Sequence, residues 1–435
     1  IVDGVGGDSP IGVEHDVVRE SVNDAKLARE PRGGFLEALA VDDEIARAAE
    51  LINAGQRVAL FCGIGCRDCP DQVVALAEKL RAPIVHTLRA KDIFDYGEGN
   101  VVGMTGLIGN PAGYHAVWDA DVLLMLGTDF PYDEFIPDGN TIIQVDREVS
   151  HIGRRAPVSL GLVGTVKETV EKLAPLVDNT NSASFLRHIE KLRDKWLKQM
   201  DDQADLSRTD EPLHPQLFMK QISEKAAEDA FFAVDVGECT VWVARQLRMK
   251  GGRRMAGSFN HGSLGGGLPT SLGAAALDPT RQVWAICGDG GFGMSMNDFV
   301  TAVRFDWPIK VIVFNNSELG FVKMEMEVSG LPTFPDATGL VNPDFVAYAR
   351  ACGGEGVRVE HAADIPAAID EAIASTKPFI IDAIVSPGEL TMPPSIKLDQ
   401  AYGFGISKVK EALIGLKGDH SVWKSWRDEF RANVF

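Results

Sequence analysis

The sequence lacks the features that would place it across a membrane or on a nucleic acid. No apolar run approaches the roughly 18 residues that a membrane-spanning helix needs. Basic residues are scarce, because 43 Lys and Arg stand against 62 Asp and Glu and give a net charge of −19. So negative a surface repels phosphate backbones, and nucleic acid is not expected as a partner. The opening residues carry no basic segment before an apolar stretch, so no signal peptide is predicted.

Cysteine is also sparse, and six residues in a chain of 435 do not suggest a disulfide framework. Cys62, Cys66 and Cys69 have a C-x3-C-x2-C spacing, which can ligate an iron–sulfur cluster. However, Cys62 ends an apolar run that is typical of a buried parallel strand, and Gly63 and Gly65 then indicate a tight turn into a helix. This context favours reduced thiols over a metal cluster.

Two segments alternate short apolar runs with amphipathic helices, which is the pattern of parallel sheets covered on both faces. They span residues 36–180 and 214–390. A charged amphipathic helix and a polar link separate them at 181–213. Residues 1–35 form a lead-in with little periodicity, and 391–435 form a C-terminal tail. The predicted fold class is therefore α/β, with two doubly wound parallel-sheet domains.

The strongest chemical signal lies in the second of these domains. The tripeptide GDG at 288–290 follows the apolar run QVWAI, and the pair NN at 315–316 follows KVIVF. The residues between them predict one helix and one strand, so a single crossover brings both loops to the same edge of a parallel sheet. Asp289 and Asn316 each offer a hard oxygen to Mg²⁺, and the two glycines that follow Asp289 allow a phosphate to approach the backbone.

These motifs resemble one enzyme family. GDG followed at this distance by NN is the diphosphate–metal motif of thiamin diphosphate enzymes. The segments SFNHGSLGGGLP, CGDGGFGMSMNDF, VFNNSELGFVKMEM and ELTMPPSIKLDQAYGF resemble the quinone-linked pyruvate dehydrogenases of the pyruvate oxidase family. The segments VGMTGLIG, LLMLGTDFPY and IQVDREVSHIG resemble the FAD-binding middle domain of the same enzymes. The resemblance covers residues 45–415 of the chain.

The resemblance implies that the second domain holds thiamin diphosphate and Mg²⁺. Three oxygen ligands to the metal would come from Asp289, Asn316 and the main-chain carbonyl of Glu318. Three glycines would face the diphosphate, namely Gly237, Gly290 and Gly291. The first domain would then bind FAD.

Three further residues of the second domain gain a catalytic role from the resemblance. Leu264 would support the V-shaped cofactor, and Phe321 and Glu325 would face the reacting carbon, with Phe321 between thiamin and flavin. Simple explanations compete with these roles. Leu264 and Phe321 are also typical core residues, and Glu325 is also typical of a solvated helix face.

The FAD assignment in the first domain depends on residues at strand ends. A Gly-x-Gly after a strand lets a backbone approach a cofactor, and an acid at the end of a strand commonly holds a ribose hydroxyl. The implied FAD-binding residues are Gly63, Gly65, Arg89, Lys91, Thr105, Gly127, Thr128, Asp129 and Asp146.

The activity implied by the resemblance is oxidative decarboxylation of pyruvate to acetate and CO2, with electrons passed through FAD to a membrane quinone. Two alternatives stay open: a non-oxidative decarboxylase or carboligase similar to acetolactate synthases, and a cofactor-binding homologue without turnover. A homo-oligomer, either a dimer or a tetramer, is expected in the cytoplasm at the inner face of the cell membrane.

The two ends of the sequence add further expectations. Enzymes of this family have an additional N-terminal domain that supplies an activating glutamate, and the residues before the first domain are too few for it. The domain is expected on another polypeptide, or the chain is a truncated product or a degenerate homologue. In the tail, Trp423, Trp426, Phe430 and Val434 recur at helical spacing beside basic residues. This pattern suits a helix that binds membrane lipid, or one that docks on the protein's own core.

Overall fold

The fold is that of a computed structural model, which describes residues 41–95, 99–178, 181–209 and 211–389. Two six-stranded sheets dominate these residues, and every strand pair in both sheets is parallel. The predicted α/β class with two doubly wound sheets is confirmed. The predictions for the lead-in and for the C-terminal tail lie outside the described residues.

The first sheet has the strand order β3-β2-β1-β4-β5-β6. Its strands are β1 (Val58–Cys62), β2 (Ile84–His86), β3 (Val101–Met104), β4 (Val122–Leu126), β5 (Thr141–Asp146) and β6 (Leu160–Val163). Its helices are Asp42–Ala54, Pro70–Leu80, Pro111–Trp118 and Val166–Leu173. Alternate side chains of β1 enter two separate apolar clusters, with Leu60 in one and Phe61 in the other. Helices therefore cover both faces, which explains why β1 and β4 are continuous apolar runs.

The second sheet has the order β11-β12-β10-β9-β7-β8. Its strands are β7 (Phe231–Val234), β8 (Arg254–Ala256), β9 (Val283–Gly288), β10 (Lys310–Asn315), β11 (Glu355–Val359) and β12 (Phe379–Ile384). Its helices are Pro215–Lys225, Glu238–Gln246, Gly267–Leu277, Asp289–Ser295, Phe299–Arg304, Gly320–Val328, Pro335–Thr338, Phe345–Ala351 and Ile365–Ala374. Short 3-10 helices occupy Ile64–Cys66, Leu88–Ala90, Asp133–Phe135, Val149–His151, Met296–Asp298 and Ala362–Asp364.

The crossover from β9 to β10 differs from the prediction in one respect. The two strands are neighbours, as expected, but the connection is not one helix. A helix begins at Asp289 directly after β9, a 3-10 turn interrupts it at Met296–Asp298, and a second helix follows. Glycine, serine and asparagine are frequent in this stretch, and such residues weaken a continuous helix.

The helix Ala183–Gln203 joins the two domains, and it matches the amphipathic helix predicted in the linker. Its N-terminal half packs on the first sheet through Phe185 and Ile189. Its C-terminal half contributes Trp196 and Met200 to a small apolar cluster that also contains residues of both domains. None of the described helices is long and apolar enough to cross a membrane.

Ion pairs also connect the two domains. Arg254 Nε lies 3.2 Å from Asp92 Oδ2, and Arg248 Nε lies 3.2 Å from Asp95 Oδ2. Asp92 Oδ1 also pairs with Arg67 Nη2 of its own domain, at 2.7 Å. Because the Asp92 side chain is almost fully buried, loss of its arginine partners would leave a buried carboxylate uncompensated. All six cysteines lie within the described residues, and none of them forms a disulfide there.

Asn181 completes the hydrogen bonding of β1 at the start of the linker. Its Oδ1 accepts from Val58 N at 2.6 Å, and its Nδ2 donates to Val58 O at 3.0 Å. The side chain is buried, and its amide makes the two hydrogen bonds to Val58 that the backbone of a neighbouring strand would make. Loss of the amide would leave two buried backbone groups without these partners.

We expect Asn181→Ala to lower the free energy of unfolding by about 2–4 kcal/mol, since each unsatisfied buried backbone group costs about 1–3 kcal/mol. Asn53→Ala is the matched control, because Asn53 bonds Leu176 O and Asp178 N in the same way at the surface. It should cost about 1 kcal/mol or less. Urea titration of both variants tests the difference, and equal losses would contradict the role given to Asn181.

Candidate functional site

A cleft opens at the carboxyl ends of β7, β9 and β10. It is bordered by the loops that follow these strands and by the start of the helix Gly320–Val328. All but one of the residues assigned to thiamin diphosphate and its metal line this cleft, and the exception is Glu325. The residues so placed are Gly237, Leu264, Asp289, Gly290, Gly291, Asn316, Glu318 and Phe321. One site therefore gathers residues that are far apart in sequence.

Asp289 lies at the centre of the polar side of the cleft. It is 3% exposed, and hydrogen bonds hold both of its carboxylate oxygens. Oδ1 accepts from Gly290 N at 2.8 Å, while Oδ2 accepts from Ser317 N at 2.6 Å and from Asn342 Nδ2 at 2.7 Å. Burial raises the pKa of Asp289, and these donors oppose the rise. The group is thus fixed in orientation and would gain from a nearby cation.

Asn316 faces the same cleft from the loop after β10. Its Oδ1 accepts from Glu318 N at 3.0 Å, and its Nδ2 donates to Glu238 Oε2 at 3.0 Å. The side chain of Glu318 points elsewhere, because it pairs with Lys323 Nζ at 3.1 Å. This is consistent with the main-chain carbonyl of Glu318, not its carboxylate, serving as the metal ligand.

Ser317 has an unusual backbone conformation within this loop. Its φ of 58° lies in the left-handed region, which a residue with a side chain seldom adopts. In this conformation its N–H reaches Asp289 Oδ2. Such outliers concentrate at functional sites, and this one links the loops that follow β9 and β10.

Glu238 also lines the cleft, although the sequence motifs did not single it out. It begins the helix Glu238–Gln246 directly after Gly237, whose φ is 137°. Burial raises the pKa of Glu238 to about 8; Lys323 opposes the rise, and the carboxylates of Glu318 and Asp289 add to it. The sequence feature that could have indicated Glu238 is an acid directly after a glycine in the loop that follows β7.

Some glycines of the cleft are needed for close packing, and others leave space that a ligand could occupy. A Cβ on Gly291 would overlap with the carboxylate of Asp235, which lies beneath the loop. Asp235 Oδ1 in turn accepts hydrogen bonds from Gly265 N at 3.0 Å and Gly266 N at 3.2 Å. A Cβ on Gly237 or Gly288 would meet none of the described atoms within 4 Å, so both glycines leave open space for a ligand.

The three predicted catalytic residues have different environments. Leu264 is 38% exposed at the cleft, although large apolar side chains are usually buried. Phe321 lines the cleft and packs partly against the core of the second domain. Glu325 is exposed and lies outside the cleft-lining set, one turn further along the helix Gly320–Val328. The structure thus brings Leu264 and Phe321 into one cleft with the predicted metal ligands, but not Glu325.

Five of the nine predicted FAD residues of the first domain lie at the point where the strand order reverses. Gly63 and Gly65 follow β1, and Gly127, Thr128 and Asp129 follow its neighbour β4. The two loops contact each other, because Gly65 N donates to Gly127 O at 3.1 Å. A Cβ on Gly63 would overlap with Gly127 and Thr128. Close backbone packing therefore explains these glycines even without a cofactor.

The remaining members of the set differ in accessibility. Arg89 is exposed, whereas Lys91 is fully buried, and burial lowers its pKa to about 7. Thr105 is also buried, and its hydroxyl has no hydrogen-bond partner among the described residues. An unsatisfied hydroxyl of this kind suits a ligand contact.

The two acids of the set already have partners within the chain. Asp129 pairs with Arg154 at 3.3 Å and with Arg155 at 3.1 Å. Asp146 Oδ1 lies 3.3 Å from His151 Nδ1 and also accepts from the backbone N of the residue two positions on. FAD binding by this domain stays a prediction.

The donor chemistry of the cleft fits Mg²⁺ with a diphosphate. One carboxylate, one amide oxygen and one main-chain carbonyl are hard oxygen ligands, which Mg²⁺ prefers. The start of the helix Glu238–Gln246 also lines this space, and a helix N-terminus suits an anion. Asp289, Asn316 and Glu318 could hold the metal, and Gly237 and Gly290 could border the phosphates.

Comparisons with known proteins find relatives of both domains. Residues 235–383 match the family model for the C-terminal TPP binding domain of thiamine pyrophosphate enzymes, and residues 45–173 match the model for their central domain. The first range contains the whole cleft motif from Gly237 to Phe321. The second contains β1 to β6.

Similar proteins carry related names. The chain is 34% identical over 362 residues to the putative thiamine pyrophosphate-containing protein YdaP of Bacillus subtilis, covering 83% of this chain and 62% of that protein. It is 28% identical over 374 residues to the probable acetolactate synthase large subunit of Methanocaldococcus jannaschii, covering 82% and 62%. It is 28% identical over 369 residues to the acetolactate synthase of Mycobacterium bovis, covering 80% and 59%. The chain thus spans about three fifths of the length of these relatives.

The raised pKa of Glu238 predicts a pH-dependent stability. In the metal-free folded chain the carboxyl keeps its proton up to about pH 8, whereas the unfolded chain releases it near 4.5. Stability is therefore lost as pH rises between these values. Glu238→Gln cannot ionise, so its Tm should rise relative to the parent by about 5–10 °C between pH 5 and pH 8.5, since about three pKa units correspond to about 4 kcal/mol and each kcal/mol moves Tm by about 2 °C.

Thermal unfolding of both proteins with a chelator present measures this difference. Glu224→Gln serves as the control, because Glu224 is exposed on the helix Pro215–Lys225 and should show no such trend. A Tm difference for Glu238→Gln that stays constant with pH would contradict the protonation assigned to Glu238.

Proposed function

Because the chain belongs to the thiamine pyrophosphate enzymes through their central and C-terminal domains, we propose that it binds thiamin diphosphate with Mg²⁺ and decarboxylates a 2-keto acid, with pyruvate as substrate. The observation that carries this proposal is the convergence of Asp289, Asn316 and Glu318 on one cleft at the carboxyl ends of β9 and β10. Parallel α/β sheets bind ligands at this edge. Since the chain spans about three fifths of its relatives, the activity of the whole enzyme belongs to the proposal.

Different residues of the cleft would contact different parts of the cofactor. Thiamin diphosphate supplies the electron sink that lets a 2-keto acid lose CO2. Asp289 and Asn316 would hold the metal, and the backbone around Gly237 and Gly290 would approach the phosphates. Leu264 presents an apolar side chain at the mouth of the cleft, where it would exclude water from the reacting end of the cofactor.

We favour non-oxidative carboligation, as in acetolactate synthases, for the step after decarboxylation. Two of the relatives described above carry that name at 28% identity over most of this chain. In this interpretation FAD, if bound by the first domain, has a structural role.

A second candidate is oxidative decarboxylation with electrons passed through FAD to a membrane quinone. The first sheet supports it, because the order β3-β2-β1-β4-β5-β6 is that of dinucleotide-binding sheets. The glycine-rich loops after β1 and β4 lie at the point where such sheets bind their ligand. Phe321, at the edge of the thiamin cleft, would then stand between the two cofactors.

Asp289→Ala should weaken the binding of thiamin diphosphate in Mg²⁺ by about 100-fold or more, because even an outer-shell change at a metal site costs about 10- to 100-fold. Isothermal titration of the full chain measures it. Asp278→Ala is the control, since Asp278 is an exposed acid of the same domain that bonds only its own turn. Equal affinities for the parent and Asp289→Ala would overturn the metal assignment.

Adding pyruvate to the loaded chain without oxygen separates the two candidate reactions. We expect acetolactate to form while any flavin absorbance stays unchanged. Bleaching of the flavin with acetate as product would instead support the oxidative reaction. Cofactor binding without either product would support a cofactor-binding homologue or a requirement for a partner chain.

A further inference from the structure

The two carboxylate oxygens of Asp289 have unequal surroundings. Oδ1 accepts one hydrogen bond, from Gly290 N at 2.8 Å. Oδ2 accepts two, from Ser317 N at 2.6 Å and from Asn342 Nδ2 at 2.7 Å. A carboxylate oxygen offers about two acceptor positions. Oδ2 is therefore saturated by the protein, and Oδ1 keeps one position for a further contact.

Asn342 is held in place from its far side. Its Nδ2 also donates to Asn315 Oδ1, at 2.9 Å, so both of its amide hydrogens are used. Asn315 Nδ2 in turn donates to Asp382 Oδ1 at 2.9 Å, and Asp382 is fully buried on β12. The Asn342 amide cannot rotate away from Asp289 without breaking this chain of hydrogen bonds.

The backbone around Asn342 is fixed as well. Two residues later, Asp344 caps the helix Phe345–Ala351 by accepting from Ala347 N at 2.8 Å. Leu340 N, two residues earlier, donates to Ser317 O at 2.8 Å. The loop thus reaches the metal-binding loop through main-chain and side-chain bonds together.

We propose that Asn342, together with the Ser317 amide, restricts Asp289 to a single coordinating oxygen and thereby biases the cleft toward Mg²⁺ over Ca²⁺. This inference depends on the proposed metal site. Mg²⁺ binds in a compact octahedron, whereas Ca²⁺ takes six to eight oxygens and often both oxygens of a carboxylate. Holding Oδ2 out of reach removes a contact that only the larger ion can use. Asn342 is a positioning residue in this scheme, because it acts through Asp289.

The test is isothermal titration of the full chain with thiamin diphosphate in Mg²⁺ and in Ca²⁺. Asn342→Leu keeps the volume but removes both donors, so Oδ2 becomes available to a metal. We expect the ratio of the Ca²⁺ to the Mg²⁺ dissociation constant to fall about five- to tenfold, the effect of about one hydrogen bond. Asn342→Ala should shift the ratio in the same direction, and it replaces the leucine variant if that chain does not fold.

Asn100→Leu provides the matched control. Asn100 also donates two hydrogen bonds through its amide, to Ala77 O at 3.1 Å and Ala82 O at 3.0 Å, but in the first domain. Its ratio should equal that of the parent. An unchanged ratio in both Asn342 variants, with cofactor still bound, would overturn this inference and leave the proposed function standing. Failure of the parent to bind the cofactor in either metal would overturn the proposed function itself.

Discussion

β9 and β10 pair in parallel from Trp284 opposite Lys310 to Gly288 opposite Phe314, and the cleft depends on that register. Both strands end at the same edge, so their next residues face each other across a few ångströms. Asp289 and Asn316 can meet only because neither strand runs past the other. A slip of one residue would turn one loop to the opposite face and separate the pair. The hydrogen bond from Ser317 N to Asp289 Oδ2, at 2.6 Å, closes this arrangement.

The cleft concentrates negative charge in a chain that is already acidic. Burial raises the pKa of Asp235, Glu238 and Asp289 alike, which means that each carboxylate is costly in the folded state. Hydrogen-bond donors offset part of this cost at Asp289, whereas the charge of Asp289 adds to the cost at Glu238. A divalent cation would offset the rest. The diphosphate of the proposed cofactor would add negative charge, so the metal is the component that makes the acidic cleft and an anionic ligand compatible.

The sequence predicted the elements and residues that depend on local pattern. Long apolar runs indicated β1, β4, β9 and β10, and their strand ends indicated Asp289 as a metal ligand. No continuous apolar run marks β3, β6 or β11, because each of these strands contains a glycine, which weakens the strand pattern, and their pairing comes from neighbouring strands.

Residues whose environment depends on tertiary contacts could not be predicted from a sequence pattern. Asn342 is separated from Asp289 by 53 positions and reaches it only because the loop before the helix Phe345–Ala351 returns to the cleft. Nothing local distinguishes this asparagine from one in an ordinary loop before a proline. Glu238 is similar, since its raised pKa comes from burial and from Glu318 and Asp289.

The glycine motifs illustrate why sequence and structure give different weight to the same residues. As a pattern, Gly-x-Gly after a strand indicates backbone approach to a ligand. In the structure, Gly63 is required by the loop after β4, and Gly291 is required by the carboxylate of Asp235. The two explanations are compatible, because packing two loops so closely is what leaves their N–H groups and strand ends uncovered by side chains.

A glycine motif thus identifies an edge of the sheet where backbone is accessible, and the neighbouring donors decide what binds there. At the second sheet those groups are Asp289 and Asn316, whose oxygens suit the proposed metal bound to phosphate. At the first sheet the acids are already paired with basic side chains, namely Arg154, Arg155 and His151. A ligand there would therefore be recognised mainly through backbone and through the hydroxyl of Thr105, which no described residue bonds.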